Sequence, residues 1–152
     1  MKKLPPAVTI NNTMNCLGLD VGTKRVGVAI ANLDARFPRP LTTLDKPESF
    51  VDDIVGLARS EDVAWVVLGL PRGMDGQETA QTAAVQDFGT QLGARLQAEG
   101  MSLPLYWIDE ALTSNKAEQE LAGRGKPYAK GDVDALAATF ILEDYLKEGV
   151  NG

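Results

Sequence analysis

The stretch Leu17-Gly18-Leu19-Asp20-Val21-Gly22-Thr23-Lys24 decides the fold and contains the residue that says most about function. The residues before Asp20 alternate as they do in a β-strand, and the Gly22-Thr23 pair behind it ends that strand in a turn. The sequence therefore predicts a carboxylate held at the tip of a central strand, beside flexible backbone and the cationic Lys24. This arrangement suits metal or phosphate chemistry.

Patterns on both sides of this turn predict an α/β fold. Residues 15–22 and 24–31 read as strands, and the link between them is too short for a crossover, so we expect an antiparallel hairpin. The continuously apolar run 63–70 is typical of a buried parallel strand. Further strands are predicted at 41–44 and 103–108, and helices at 48–60, 77–99, 114–122 and 133–147. The predicted architecture is a five-stranded mixed sheet, an antiparallel hairpin plus parallel strands, flanked by helices.

The composition is that of a globular protein with a single domain. The chain has 152 residues, of which 44% are hydrophobic and 24% charged. Residues 1–13 are polar and contain prolines, and a second methionine stands at position 14, so we predict a disordered extension or an over-long start, followed by one domain at 14–148. No apolar run is long enough to span a membrane, and no apolar segment follows the two lysines at the start. We expect a cytoplasmic protein.

The near absence of cysteine and histidine limits the catalytic and metal sites that the chain can form. The chain has one cysteine, Cys16, and no histidine. These counts exclude an intrachain disulfide, multi-cysteine zinc sites, histidine-containing catalytic triads and nearly all imidazole-ligated metals. A metal ion here would be bound by oxygen, which favours Mg²⁺ or Mn²⁺. The net charge of −6 counts against a generic nucleic-acid binder, although two bound divalent cations would offset much of it.

Three acidic residues occupy informative positions. Asp20 closes the first strand, Glu110 follows the fifth, and Asp134 is predicted in the first turn of the last helix. If the two strands are parallel, Asp20 and Glu110 lie at one carboxyl edge of the sheet, where α/β proteins bind ligands. Three neighbouring carboxylates repel one another unless cations bridge them, and two Mg²⁺ ions would suit phosphodiester hydrolysis. Each residue also has a structural alternative: a turn hydrogen bond, an exposed loop acid and a helix cap, respectively.

Four stretches, in this order along the chain, agree with one known family. They are residues 17–29; Gly69-Leu70-Pro71-Arg72-Gly73-Met74-Asp75-Gly76; Asp109-Glu110-Ala111-Leu112-Thr113-Ser114; and residues 130–138 with 141–146. Together they resemble the YqgF/RuvX family of Holliday junction resolvases, which has an RNase H-like fold. The resemblance spans residues 15 to 147.

This resemblance implies a nuclease in which Asp20, Glu110 and Asp134 are the catalytic residues and the ligands of two Mg²⁺ or Mn²⁺ ions. It also implies a role in maturing the 5′ end of the 16S rRNA precursor, in resolving branched DNA, or in both. The chain departs from the family at Ala111, where an arginine is usual, which puts a substrate contact in question. Asp132 is a candidate fourth ligand or a substitute, and Asp109 is a weaker competitor to Glu110.

The phosphates of such a substrate are negatively charged, so we expect basic residues to contact them. The candidate nucleic-acid contacts are Lys24, Arg25, Arg72, Arg124, Lys126 and Lys130, with Tyr128 as a stacking surface. The alternative for each cation is that it is merely solvated. The substrate would be structured RNA or branched DNA. A homodimer with two sites would suit a two-fold symmetric junction, whereas trimming one RNA strand needs only a monomer.

Two rival functions start from the same residues. The sequence Asp-Val-Gly-Thr after a strand also resembles the first phosphate loop of actin-like phosphotransferases, but these need two such domains and a second glycine-rich motif. The other rival is a non-catalytic RNase H-like module that binds nucleic acid or a protein. The acidic trio argues against the second rival. The sequence leaves open whether the nuclease would cut ends or internal bonds.

Overall fold

The computed structural model describes residues 14–32, 34–110, 119–125 and 130–151, with Met74, Lys130 and 148–151 described by their backbone alone. The strands are β1 (Asn15–Val21), β2 (Val26–Asn32), β3 (Arg39–Leu44), β4 (Val63–Pro71) and β5 (Leu105–Glu110). The helices are α1 (Phe50–Ser60), α2 (Ala80–Ala98) and α3 (Lys130–Asn151), and residues 119–123 are also helical. Short 3₁₀ turns, Pro47–Ser49 and Met74–Gly76, precede α1 and α2. No helix among these residues is both long and apolar enough to cross a membrane.

The five strands form one mixed sheet in the order β3-β2-β1-β4-β5. β1 pairs antiparallel with β2, and β2 with β3, whereas β1, β4 and β5 run parallel. The prediction of an antiparallel hairpin next to parallel strands is therefore confirmed. Pro104 comes directly before β5, and β5 is an edge strand, where a residue without an N–H costs no ladder hydrogen bond.

Helix α2 begins later than predicted because Thr79 caps its N-terminus. The Thr79 hydroxyl accepts a hydrogen bond from the Thr82 backbone N–H at 3.2 Å, and the Thr82 hydroxyl accepts one from the Thr79 N–H at 2.9 Å. This reciprocal cap places the first helical residue at Ala80 instead of residue 77. Thr82 is fully buried and also donates to the Pro71 carbonyl at 2.5 Å, which fixes α2 to the end of β4.

The start of α3 also differs, and this corrects a prediction about the site. The helix begins at Lys130 rather than at residue 133, so the acidic residue in its first turn is Asp132 and not Asp134. The earlier start is held by Thr43 on β3, whose hydroxyl donates to the Gly131 carbonyl at 2.5 Å. The predicted extension at 1–13 lies outside the described residues, as does most of the predicted helix at 114–122.

Each face of the sheet packs against its own helices because successive side chains of a strand point to opposite faces. One face packs on α1 and α2 through residues that include Leu17, Leu19, Val28, Val66, Leu68, Ile54 and Leu92. The other face packs on α3 through residues that include Cys16, Ala29, Trp65, Val67, Ile108, Ile141 and Tyr145. The alternation in β1 therefore places Asp20 on the α3 face, together with Cys16.

Three glycines bring α3 unusually close to the sheet. A Cβ atom at Gly18 would lie 2.5 Å from Leu142 Cγ, and one at Gly69 would overlap Ile141. A Cβ atom at Gly27 would overlap the backbone carbonyl of Asp134. A side chain at any of these positions would force its neighbours on α3 to shift, and at Gly27 the obstacle is the Asp134 backbone itself, so these glycines allow the close approach that holds Asp134 over β2.

Candidate active site

Asp20 and Asp134 are brought together by strand pairing and helix packing. Asp20, the sixth residue of β1, is the Cα partner of Gly27 on β2. Gly27 in turn lies under the Asp134 backbone, where no side chain would fit. Both carboxylates are partly buried. Two acids far apart in sequence therefore meet at the carboxyl end of the central strand.

The environment of Asp20 disfavours its charged form. Burial, together with the smaller effect of the neighbouring Asp134 charge, raises the pKa of Asp20 to about 6. An ordinary aspartate in water has a pKa of about 4. A nearby cation would reverse this effect because it stabilises the ionised carboxylate. The surroundings of Asp20 therefore favour the binding of a cation.

Arg25 supplies positive charge on the Asp134 side. Its Nε donates to Asp134 Oδ2 at 2.5 Å, and the side chains of Arg25 and Asp134 are 35% and 18% exposed. Arg25 ends the β1–β2 turn, in which the Gly22 N–H donates to the Arg25 carbonyl at 2.9 Å. A Cβ atom at Gly22 would lie 2.9 Å from that carbonyl oxygen, so glycine suits the tight turn that positions Arg25.

Glu110 lies at the same edge of the sheet and on the same face as Asp20. It is the last residue of β5, its Cα partner is Pro71, and the alternation of β5 places it with Ile108 on the α3 side. β4 separates β5 from β1. Within the described ranges, no group of three histidine, cysteine, aspartate or glutamate side chains is arranged to hold a metal ion. The structure thus places Asp20 beside Asp134, and Glu110 along the same edge.

Two other acids of the sequence analysis point elsewhere. Asp109 lies on the opposite face of β5 from Glu110, where it accepts a hydrogen bond from Arg72 Nε at 3.1 Å. Asp132 is exposed and lies two residues before Asp134 on α3, and residues two apart on a helix do not share a face. Asp109 therefore lies on the other face of the sheet from Asp20 and Glu110.

The predicted cations divide into three groups. Lys24 and Arg25 belong to the β1–β2 turn, where Arg25 pairs with Asp134 and both cations line a groove with it. Arg72 contacts Asp109 and also Glu78, at 3.9 Å, and Arg124 contacts Glu120 at 3.8 Å. The side chains of Lys126, Tyr128 and Lys130 lie outside the described residues, as does Ala111.

Sequence reasoning missed a groove of about 770 Å³ that opens beside the acidic pair. The β1–β2 turn and Asp134 contribute its charged lining, and α1 and α2 contribute mostly apolar side chains. Its lining is Val21, Gly22, Thr23, Lys24, Arg25, Pro47, Phe50, Ala80, Gln81, Ala84, Val85, Phe88 and Asp134. The available signal was a pair of exposed small residues, Ala80 and Ala84, one turn apart on α2.

Comparisons with known proteins agree on one family. The family model described as "RuvX: Holliday junction resolvase" matches residues 14–148. A Chloroflexus aurantiacus protein described as "Putative pre-16S rRNA nuclease" is 42% identical over 139 residues, which is 89% of this chain and 88% of the relative. A Crocosphaera subtropica protein with the same description is 40% identical over 140 residues, covering 89% of this chain and 94% of the relative.

One solved structure supports the fold. The structure entitled "T. thermophilus RuvC in complex with Holliday junction substrate" has a TM-score of 0.57 and 16% sequence identity, and covers 90% of this chain and 96% of that chain. At this identity the likeness shows a shared fold and no more. The RNase H-like fold expected from the sequence is therefore confirmed.

Proposed function

Because the chain belongs to the RuvX family of Holliday junction resolvases, we propose that it is a nuclease that depends on divalent metal ions and hydrolyses phosphodiester bonds beside Asp20 and Asp134. The observation that carries this proposal is the convergence of these two carboxylates at the end of the central strand. Arg25 pairs with Asp134, and Lys24 lines a groove with both, so acidic and basic groups lie together.

The donor set fits a hard divalent cation. Burial and mutual repulsion raise the pKa of Asp20, and a bound cation would relieve that unfavourable charge. Carboxylate oxygens are the ligands that Mg²⁺ and Mn²⁺ prefer. Asp20 and Asp134 would hold the first of two ions, and Glu110 would complete the ligand set. When bound, such ions neutralise phosphate charge and activate a water molecule.

The basic residues of the β1–β2 turn have a separate task. A phosphodiester that approaches the acidic pair is itself anionic, so it is repelled unless cations receive it. We expect Lys24 and Arg25 to contact its non-bridging oxygens, and the guanidinium of Arg25 suits phosphate because it presents several N–H donors in one plane. Arg72 and Arg124 are paired with carboxylates and would join the substrate only after those pairs open.

The substrate class follows from the family and its relatives. The relatives' descriptions support cleavage of the 16S rRNA precursor, here proposed at its 5′ end. The family description supports branched DNA as the second candidate. A homodimer with two sites would match the two-fold symmetry of a four-way junction.

A cleavage panel tests the proposal. Wild type, Asp20→Asn and Asp87→Asn would be incubated in Mn²⁺ with a precursor 16S RNA fragment, a four-way DNA junction, a linear duplex and single-stranded DNA. Asp87 is an exposed acid on α2 and serves as the matched control. We expect wild type and Asp87→Asn to cut the RNA and Asp20→Asn to cut nothing. The preferred substrate identifies the pathway.

Full activity of Asp20→Asn would overturn the site. If none of the three proteins cuts any substrate, the result would favour the alternative hypothesis of a non-catalytic module that binds nucleic acid or a protein. An ATP-dependent rise in melting temperature would instead support the actin-like phosphotransferase, because a ligand that binds only the folded state stabilises it.

A further inference from the structure

The groove beside the acidic pair has two chemically different kinds of lining. Its charged lining, Lys24, Arg25 and Asp134, comes from the β1–β2 turn and α3, whereas its aromatic and aliphatic lining, Phe50, Val85 and Phe88, comes from α1 and α2. Phe50 and Val85 are almost completely buried, whereas Phe88 is partly exposed. The volume of about 770 Å³ lies within the usual range of small-molecule sites, roughly 300–1,000 Å³. The ligand that matches such a groove is anionic at one end and flat and apolar at the other.

We propose that this groove receives the base of one unpaired nucleotide next to the phosphodiester that Asp20 and Asp134 address. This inference rests on the proposed function and specifies the substrate as a strand that is single-stranded at the cut. A nucleotide has both required ends: its phosphate meets Lys24 and Arg25, and its base lies against the apolar wall near Phe88. The sharing of Asp134 and Arg25 between the groove and the acidic pair makes the two sites continuous.

Base pairing decides which strands can use the groove. A base inside a duplex is stacked and paired, so it reaches a lateral pocket only after unpairing, whereas a base in a single strand or a loop needs no such step. The apolar wall has few groups that could read base edges. Gln81 and Thr23 are the neutral polar side chains of the lining. We therefore expect stacking that tolerates all four bases, and a preference for unpaired strands of RNA or DNA over duplexes.

The test fills the groove without touching the acidic pair. Ala84 and its neighbour Ala83 are both exposed on α2, but only Ala84 lines the groove. Ala84→Trp and the matched control Ala83→Trp would be made in the Asp20→Asn background, so that binding is measured without cleavage. Ala80→Trp, at a second exposed lining position, is an independent variant should Ala84→Trp fail to fold.

The binding experiment is a double-mutant cycle, in which one change is a substitution in the protein and the other is the removal of one base from the strand. The probes are single-stranded RNA and DNA oligonucleotides of one sequence, intact or with one base removed at each successive position. We expect Ala84→Trp to weaken binding of the intact strands by roughly 5- to 150-fold, the contribution of one stacked base, and Ala83→Trp to leave it unchanged. At one position, removing the base should weaken binding to the control but not to Ala84→Trp.

The outcomes separate this inference from the proposed nuclease. Equal binding by the Ala84→Trp and Ala83→Trp variants would overturn the base site even if wild type cleaves in the substrate panel. Coupling between Ala84→Trp and one base in the absence of any wild-type cleavage would keep the base site and overturn the nuclease. If Ala84→Trp changes only the protein's self-association, the groove belongs to an interface between copies and the inference is wrong.

Discussion

Arg25 Nε lies 2.5 Å from Asp134 Oδ2, so an arginine from the β1–β2 turn is the protein's own counter-ion for one member of the acidic pair. The contact joins residues separated by 109 positions in sequence. It depends on Gly27, which allows the Asp134 backbone to rest on β2, and on the turn that ends at Arg25. The same guanidinium would compete with a metal ion for Asp134 and would attract a phosphate.

The first prediction follows from this competition. Arg25→Gln should bind Mn²⁺ more tightly than wild type, by up to about fivefold, because a partly exposed ion pair is worth about 1 kcal/mol or less. The same variant should bind nucleic acid more weakly, because it loses a phosphate contact. Calorimetric titration with Mn²⁺ and fluorescence anisotropy with labelled RNA measure the two effects.

The control for this variant removes the same charge elsewhere. Arg39 is exposed on β3 and pairs with Ile30, toward the end of the sheet away from the β1–β2 turn. Arg39→Gln should leave Mn²⁺ affinity unchanged. Weaker Mn²⁺ binding by Arg25→Gln would contradict the counter-ion role.

The second prediction concerns the pH dependence of stability without metal. The pKa of Asp20 is raised to about 6 in the folded protein, above its value in the unfolded chain. The folded state therefore holds this proton more tightly, and the free energy of unfolding falls as the pH rises from about 4 to about 6. Above that range the loss levels off at up to about 3 kcal/mol.

Asp20→Asn isolates this contribution. The difference in free energy of unfolding between Asp20→Asn and wild type in EDTA should grow in favour of the variant from pH 4 to pH 6.5 and then remain constant. Urea unfolding at a series of pH values measures it. A difference that is flat across this range would show that the Asp20 carboxylate is not disfavoured in the fold.

The third prediction uses two glycines in different surroundings. A Cβ atom at Gly27 would overlap the Asp134 backbone, whereas one at Gly56, exposed on α1, would meet nothing within 4 Å. Gly27→Ala should destabilise the protein by roughly 2 kcal/mol or more and weaken Mn²⁺ binding, because α3 must move. Gly56→Ala should stabilise it by about 1 kcal/mol through helix propensity. Thermal unfolding of both variants checks this, and equal effects would mean that α3 is not held by Gly27.

The fourth prediction concerns Lys126 and Lys130, whose contact with nucleic acid is predicted from the sequence alone. Replacing Lys126 and Lys130 by glutamine should weaken nucleic-acid binding and make its salt dependence shallower by about 0.7 in logarithmic slope per lysine. Mn²⁺ affinity should not change. Lys147→Gln, at an exposed position late in α3, is the matched control. An unchanged salt slope in the double variant would exclude Lys126 and Lys130 from the binding surface.

The strands and their directions could be read from the sequence because local patterns determine them. The apolar run ending at Leu70 predicts a buried parallel strand, and the turn at Gly22-Thr23 predicts a hairpin; both are present. The start of α3 could not be read, because the hydrogen bond from Thr43 that fixes its first turn comes from a distant strand.

The site was only partly predictable for the same reason. The sequence nominates Asp20 and Asp134, but it does not show that Arg25 pairs with Asp134 or that Arg72 is paired with Asp109. Those contacts exist only once separate elements have packed. The groove could not be predicted because its lining comes from β1, the β1–β2 turn, α1, α2 and α3, and each contributes residues that read as ordinary positions of its own element.

Calorimetric titration of metal-free protein with Mn²⁺ tests the proposed metal site most directly. It would compare wild type with Asp20→Asn, Asp134→Asn and the exposed control Asp87→Asn. We predict saturable Mn²⁺ binding by wild type and Asp87→Asn, and its loss in both site variants while their folds persist. Binding of equal affinity in all four proteins would contradict the assignment of Asp20 and Asp134 as the metal-holding pair.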